Sequence, residues 1–275
     1  CLLGAAKILS ENRDAFSGKV RLVFQPGEEI GKGAKPFVAA GVLEGAERVF
    51  GLHTAYDLEA GTVGLKPGIN NAAVDHFRIR VHGKSTHVST PHLGIDALYI
   101  ASQIVVAVQG LVTRCTSPTE PVIIGVGKLN AGTTYNAVAA FAEMEGTTRT
   151  ISQESRDRVR AQVSETAQSI AALYGGTAEV EWTDFAAALV NDPQVCEEAA
   201  RVVDELLGAG HVVTDRELSL SGDNFAEFEL YKPGAYAYLG TGNPDLPHTM
   251  ITNHNGGFDV DENALVTGAG LYVGY

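Results

Sequence analysis

Two adjacent carboxylates, Glu28 and Glu29, close the segment Gln25-Pro26-Gly27-Glu28-Glu29, and they follow an apolar run, Val20 to Phe24, ended by a Pro-Gly turn. Placed after a strand of an α/β layer, such a pair sits where ligands and catalysts collect, so one carboxylate could bind a metal while the other moves protons. A plainer reading is that both acids favour the positive end of a helix macrodipole. Two histidines bear on the choice. His53 ends the apolar run Val49-Phe50-Gly51-Leu52, and His254 lies in the loop Thr252-Asn253-His254-Asn255-Gly256-Gly257-Phe258. Imidazole with carboxylate suits zinc, manganese or cobalt better than calcium. Singly, each histidine reads as a hydrogen-bonded structural residue; with the Glu pair they form a candidate site.

The elements that must position these residues alternate. A helix is expected at Leu2 to Glu11, a strand at Lys19 to Phe24, a helix at Ala34 to Ala40 and a strand at Arg48 to Leu52, which together indicate an α/β layer. After the breaker-rich junction Lys66 to Asn71 the pattern changes. Phe77, Ile79 and Val81 alternate with Arg78, Arg80 and His82, the signature of a half-buried strand. A long apolar helix (Asp96 to Thr113), two strand-like runs (Val122 to Lys128 and Val138 to Thr148), a helix capped at Ser152 and a last strand (Ala178 to Trp182) follow. That order, β-α-β-β-α-β, is the ferredoxin-like arrangement. The expected organisation is therefore a layer with a mixed sheet flanked by helices at 1–71 and 183–275, with a smaller domain inserted at 72–182.

Composition narrows the partners. Lys and Arg total 20 against 33 Asp and Glu, a formal net charge of -13. This repels nucleic acid and anionic membranes and favours small molecules or cations. No apolar run is expected to reach the roughly 18 residues a membrane helix needs. Three widely spaced cysteines, Cys1, Cys115 and Cys196, suggest neither a disulfide framework nor a CxxC metal site, so a reducing cytoplasm is the default. The chain opens in mid-helix without Met or N-cap, and it is expected to lack the first part of its α/β layer.

Several motifs in order now carry a resemblance. Gln25-Pro26-Gly27-Glu28-Glu29 with Gly33-Ala34, Gly51-Leu52-His53-Thr54, Gly83-Lys84-Ser85-Thr86-His87 with Pro91-His92 and Gly94-Ile95-Asp96, then Gly132, Asn136, Gly146-Thr147-Thr148-Arg149 and Phe258-Asp259-Val260-Asp261-Glu262 resemble the aminoacylase and carboxypeptidase G family of metal-dependent amidohydrolases. The likeness is to the branch with hippurate hydrolases, auxin-conjugate amidohydrolases and N-acetyl-diaminopimelate deacetylases, and it covers the whole chain.

The resemblance implies hydrolysis of the amide bond of N-acyl amino acids, with Glu28 as general base and Glu29, His53 and His254 as ligands of two divalent ions. Zinc or manganese is implied, with cobalt or nickel also open. The inserted domain would serve as lid and dimerisation domain. His87, or His92 five positions later, would reach into a neighbouring subunit's site to stabilise the oxyanion, while Asn136 and Arg149 would hold the substrate; a homodimer or higher homo-oligomer follows. The family's branch takes two more ligands, a Cys and a His, from a segment directly before the first helix of this chain, so the ligand set here is expected to be incomplete. Its Glu-Asp-Phe appears as Gly222-Asp223-Asn224-Phe225, and a Pro after the last His is replaced by Gly256. A metallo-aminopeptidase or dipeptidase, and an inactive fragment or binding module, remain alternatives.

Overall fold

The computed structural model describes all 275 residues, from Cys1 to Tyr275. In chain order the elements are α1 (Leu2–Glu11), α2 (Ala34–Ala39), β1 (Val49–Glu59), β2 (Val63–Gly64), β3 (Gly68–Asn71), β4 (Ala73–His82), α3 (Ala97–Arg114), β5 (Ile123–Ala131), β6 (Phe141–Thr150) and α4 (Gln153–Leu173). They continue with β7 (Thr177–Ala186), β8 (Leu189–Asn191), α5 (Pro193–Leu207), β9 (Val212–Val213), α6 (Ala226–Glu229), β10 (Gly234–Gly242) and α7 (Ala264–Gly274). The result is a mixed α/β protein that divides into two compact units.

The first unit comprises Cys1–Asn70, Leu189–Leu218 and Asp223–Tyr275. Its mixed sheet runs in the order β1-β10-β2-β9, with β1 parallel to β10, β2 antiparallel to β10, and β9 parallel to β2. Parallel strands covered on both faces read as apolar runs, which is why Val49 to Leu52 and Ala235 to Leu239 are recognisable. Helix α5 shows how the covering layer is built. Asp192 caps it by accepting from the N–H groups of Gln194 and Val195 at 2.9 and 3.0 Å, Pro193 sits in the first turn, and Val195, Ala199 and Val203 repeat every four residues on the buried face. These side chains pack with Val63, Leu65, Ala235, Ala237, Leu239 and Leu271.

The second unit comprises Asn71–Ala188 and Ser219–Gly222. Its strands and helices follow the order β-α-β-β-α-β, and β5-β6-β4-β7 form one wholly antiparallel sheet. Phe77, Ile79 and Val81 of β4 point inward with no exposure, against Ile100, Ile104 and Val108 of α3 and Val159, Val163 and Ala167 of α4. The opposite face is a charge ladder in which Arg80 meets Glu143 at 3.0 Å and Glu181 at 3.2 Å, and Lys128 meets Glu145 at 2.7 Å. Exposed pairs of this kind each contribute little. Ser152 accepts from the Ser155 N–H and so opens α4.

Three expectations need correction. Residues 19–24 form no strand, because no other segment pairs with them, and Val20 and Phe24 stay 56% exposed. Strand β1 does not stop at Leu52 but runs to Glu59, so His53 lies within it rather than at its end. Helix α3, with 18 residues and mean hydropathy 1.3, is long and apolar enough to cross a membrane by length and composition. It is instead the core helix of the second unit, its Ile100, Ile104 and Val108 wholly covered.

Two buried carboxyl groups generate tests. Asp75 on β4, 1% exposed, accepts from Nε and Nη2 of Arg156 on α4 at 2.9 and 2.6 Å, a bidentate pair inside the second unit. Asp75→Ala removes the bidentate partner of a buried guanidinium, leaving it Asp184 at 3.7 Å, and should lower the unfolding free energy by about 3–5 kcal/mol in urea titrations. Glu229 on α6 accepts from the Val190 N–H at 3.0 Å through one oxygen, while the other is buried without a partner. Burial first, then the charges of Asp223 and Asp192, push its pKa from 4.5 up to about 7. The folded protein therefore holds this proton more tightly than the unfolded chain, and the associated stability is full below about pH 4.5 and lost as pH rises through 7. Glu229→Gln should abolish that loss, so its stability relative to the parent should grow by up to about 3 kcal/mol between acid and mildly alkaline pH.

Candidate active site

The loop from Gln25 to Gly33 is shaped by its glycines. Gly27 and Gly31 adopt left-handed conformations, with φ of 72° and 65°, on either side of a single 3-10 turn, Glu28–Ile30. Gly31 and Lys32 donate back to the carbonyls of Glu28 and Gly27 at 2.8 and 3.1 Å. At Gly33 a Cβ would stand 1.9 Å from the Pro26 carbonyl oxygen, so the loop closes on itself only with glycine there. The turn sends the two carboxylates into different surroundings: Glu28 is half-buried and Glu29 is exposed.

Burial raises the Glu28 pKa above its ordinary value, and the negative charges of Asp223 and Glu29 raise it further, while a hydrogen bond from the Asn224 N–H and the charge of His53 act the other way. Asp223 is itself buried. Its carboxylate accepts from the Phe225 N–H at 2.7 Å and from the Tyr236 hydroxyl. Burial and the Asp223 charge hold the Tyr236 hydroxyl well above its ordinary pKa of 10, so it remains a donor.

His53 is placed by the parallel ladder, in which it pairs with Tyr238. Its ring lies 6.0 Å from both the Tyr236 and Tyr238 rings. Its Nδ1 is 2.7 Å from the Thr54 carbonyl oxygen, which can only accept, so the proton is on Nδ1 and Nε2 offers its lone pair. His254 has φ of 60°, the only non-glycine residue with positive φ, and its Nε2 stands 3.7 Å from an oxygen of Glu29. The structure thus brings Glu29 to His254, and Glu28 within electrostatic reach of His53. No three His, Cys, Asp or Glu side chains gather closely enough to hold a metal ion.

In the second unit, His87 and Asn136 lie on adjoining backbone segments: Val88 donates to the Asn136 carbonyl at 3.1 Å and Val138 to that of Thr86 at 2.9 Å. Both side chains are exposed; the His87 Nδ1 meets Ser89 Oγ at 2.7 Å, and Asn136 accepts from Thr134 at 3.1 Å. His92 is exposed in the single turn Pro91–Leu93. Arg149 stands on β6 between Val74 and Ile123, and burial pulls its pKa down. The remaining histidines serve structure: His76 meets Glu145 at 3.2 Å, His82 meets Glu179 at 3.8 Å, His248 meets Asp259 at 3.8 Å, and His211 meets the Gly61 carbonyl at 2.7 Å. A surface cavity of about 500 Å³, bordered by Glu59, Asn243, Asp245 and Asp261, touches none of the candidate residues.

Comparison with known proteins decides the family. The sequence profile of "Peptidase family M20/M25/M40" matches residues 1–275. The chain belongs to this family. Among curated M20 relatives, an N-acetyl-L-cysteine deacetylase of Bacillus subtilis is 38% identical over 96% of the chain and 62% of its own length, and thermostable carboxypeptidase 1 of Saccharolobus solfataricus is 36% identical over 98% and 68%. The chain therefore spans between three fifths and seven tenths of these relatives. A Bacillus subtilis crystal structure described as a dinuclear metal-binding peptidase from the M20 family superposes with a TM-score of 0.81 at 33% identity, over 99% of this chain and 68% of that one.

Set among M20 proteins, the donors of this chain suit a divalent transition ion, being carboxylate and imidazole with one imidazole tautomer already fixed by a carbonyl. Sequence reasoning passed over Asp223, Tyr236 and Tyr238 as parts of the site. The signal for the tyrosines was their spacing: positions 236 and 238 of one apolar strand must share a face.

Proposed function

We propose that the protein hydrolyses the amide bond of N-acyl amino acids with two divalent ions, zinc or manganese, held in part by Glu29, His53 and His254. Glu28 is the general base. The observation that carries this reading is the half-buried Glu28 carboxyl with a raised pKa beside an exposed Glu29 that meets His254 at 3.7 Å. When bound, the ions supply Lewis acidity toward the scissile carbonyl and make water easier to deprotonate. Glu28 takes the proton of the attacking water and later returns it to the leaving amine, for which a carboxyl drawn toward neutrality is suited. Nothing in this role requires Glu28 to touch a metal.

Of the three proposed donors Glu29 and His254 stand together, and further ligands would complete the set. Asn136 and Arg149 would bind the substrate's carbonyl and carboxylate; a guanidinium fork suits a carboxylate. His87 would act on the site of a partner copy, which makes the protein a homodimer or a larger homo-oligomer, with the second unit as lid and dimerisation domain. A reducing, cytoplasmic setting is part of the proposal, resting on the three widely spaced cysteines of the sequence. The deacetylase name of one relative favours N-acetyl substrates, and the carboxypeptidase name of another keeps short peptides as a second reading.

The full-length protein, loaded with zinc or manganese, should hydrolyse N-acetyl or N-benzoyl amino acids faster than unblocked dipeptides. Glu28→Gln should lower kcat by about 10²–10⁴-fold while metal content is retained. Unchanged turnover in Glu28→Gln sinks the base assignment. If His87 serves a partner's site, inactive His87→Ala and inactive Glu28→Gln proteins should regain activity on subunit exchange, because a hybrid holds one site with both residues intact. A fully active monomer rules that role out.

A further inference from the structure

The Gln25-Pro26-Gly27-Glu28-Glu29 loop holds one long polar side chain that the proposed chemistry leaves unused. The Gln25 Nε2 donates to Oδ1 of Asn224 at 2.8 Å, across 199 positions of sequence. Asn224 is 1% exposed, and its backbone N–H faces the Glu28 carboxylate closely enough to lower its pKa. The Gln25 bond therefore ties the loop that carries Glu28 to the residue whose N–H orients Glu28.

Both ends of the tie are rigid. The Gln25 side chain lies against Gly33, where a Cβ would come within 2.5 Å of its Nε2. At the other end, Asp223 holds the turn before α6 by accepting from the Phe225 N–H at 2.7 Å and from the Tyr236 hydroxyl. The Phe225 ring packs 5.2 Å from the Tyr236 ring and fills the space over Gly51, where a Cβ would meet it at 2.8 Å. A glutamate has three side-chain torsions to fix, and a single N–H fixes its carboxylate only if the peptide bearing it cannot move.

We infer that Gln25 is a positioning residue for Glu28, its amide acting through Asn224 to hold the N–H that aims the carboxylate. The inference rests on Glu28 being the general base. Gln25 touches neither water nor substrate in this role; it sets geometry, and misplacement of a reacting group by about 1 Å can cost about 10²-fold in rate.

The test uses the metal-loaded, full-length protein. Gln25→Met keeps length and volume but cannot donate, and it should lower kcat by about 10- to 100-fold with KM and metal content unchanged. In an Asn224→Ala background, the same substitution should cause no further fall, because its partner is already gone. An unchanged kcat in Gln25→Met, a fall confined to KM or metal content, or an equal further fall in the Asn224→Ala background overturns the inference. Glu28→Gln measured alongside separates the two failures. An inactive Glu28→Gln with a fully active Gln25→Met removes the positioning role alone, whereas an active Glu28→Gln removes the base and this inference with it.

Discussion

A carboxylate kept half out of water, next to a second carboxylate that is buried, is the constraint around which this site is arranged. Glu28 cannot lie near Asp223 unless the Asp223 charge is held in place, and the Tyr236 hydroxyl and Phe225 N–H do that. The 3-10 turn at Glu28–Ile30 supplies the rest. With about three residues per turn, successive side chains diverge by about 120°, so neighbours in sequence face opposite environments. Glu28 turns inward to become reluctant to ionise, and Glu29 turns out to His254. The different surroundings of these adjacent, identical side chains follow from the geometry of the turn.

The same economy governs β1. Its register with β10 alternates two faces with period two. Phe50 stacks on Tyr275 at 4.6 Å and meets Tyr272 edge-on at 5.8 Å, on the side covered by α7. Gly51 and His53 face the other way, toward Phe225, Tyr236 and Tyr238. The Tyr238 ring is backed by the Arg216 guanidinium at 4.6 Å, which Asp57 holds at 3.1 Å. A slip of one residue would put His53 among the rings near α7 and Leu52 into the site, so the apolar contacts of Phe50 and Leu52 are also what aims the imidazole.

Much of this was legible wherever periodicity and caps agree. The helix at Gln153–Leu173 and the alternation of Phe77, Ile79 and Val81 are visible because each buries one regular stripe. Residues 19–24 misled, since an apolar run states a preference for burial but a strand also needs a ladder partner, which nothing local encodes. The two-residue strands β2 and β9 were invisible for the opposite reason, being too short to show a period. In the site, Glu28, Glu29, His53 and His254 stood out by residue type and motif. Asp223 was noticed only within Gly222-Asp223-Asn224-Phe225 and Tyr236 not at all, because their importance lies in a contact with each other and with a loop some 200 positions away, and pairing over that distance leaves no spacing to read.

Arg149 shows where an unpaired charge is informative. Apart from the exposed Arg114, the other arginines of the second unit have carboxylate partners: Arg78 and Arg80 with Glu143, Arg156 and Arg160 with Asp75, and Arg158 with Glu120. Arg149 is half-buried on β6, desolvated enough to lower its pKa, and no carboxylate of the chain pairs with it. A guanidinium in that position carries a desolvation penalty that an anion would offset. The chain bears a net charge of -13, so acidic side chains are in ample supply, yet none is placed there. An internal carboxylate would offset that penalty within the fold, and the planar fork of the guanidinium is shaped for one.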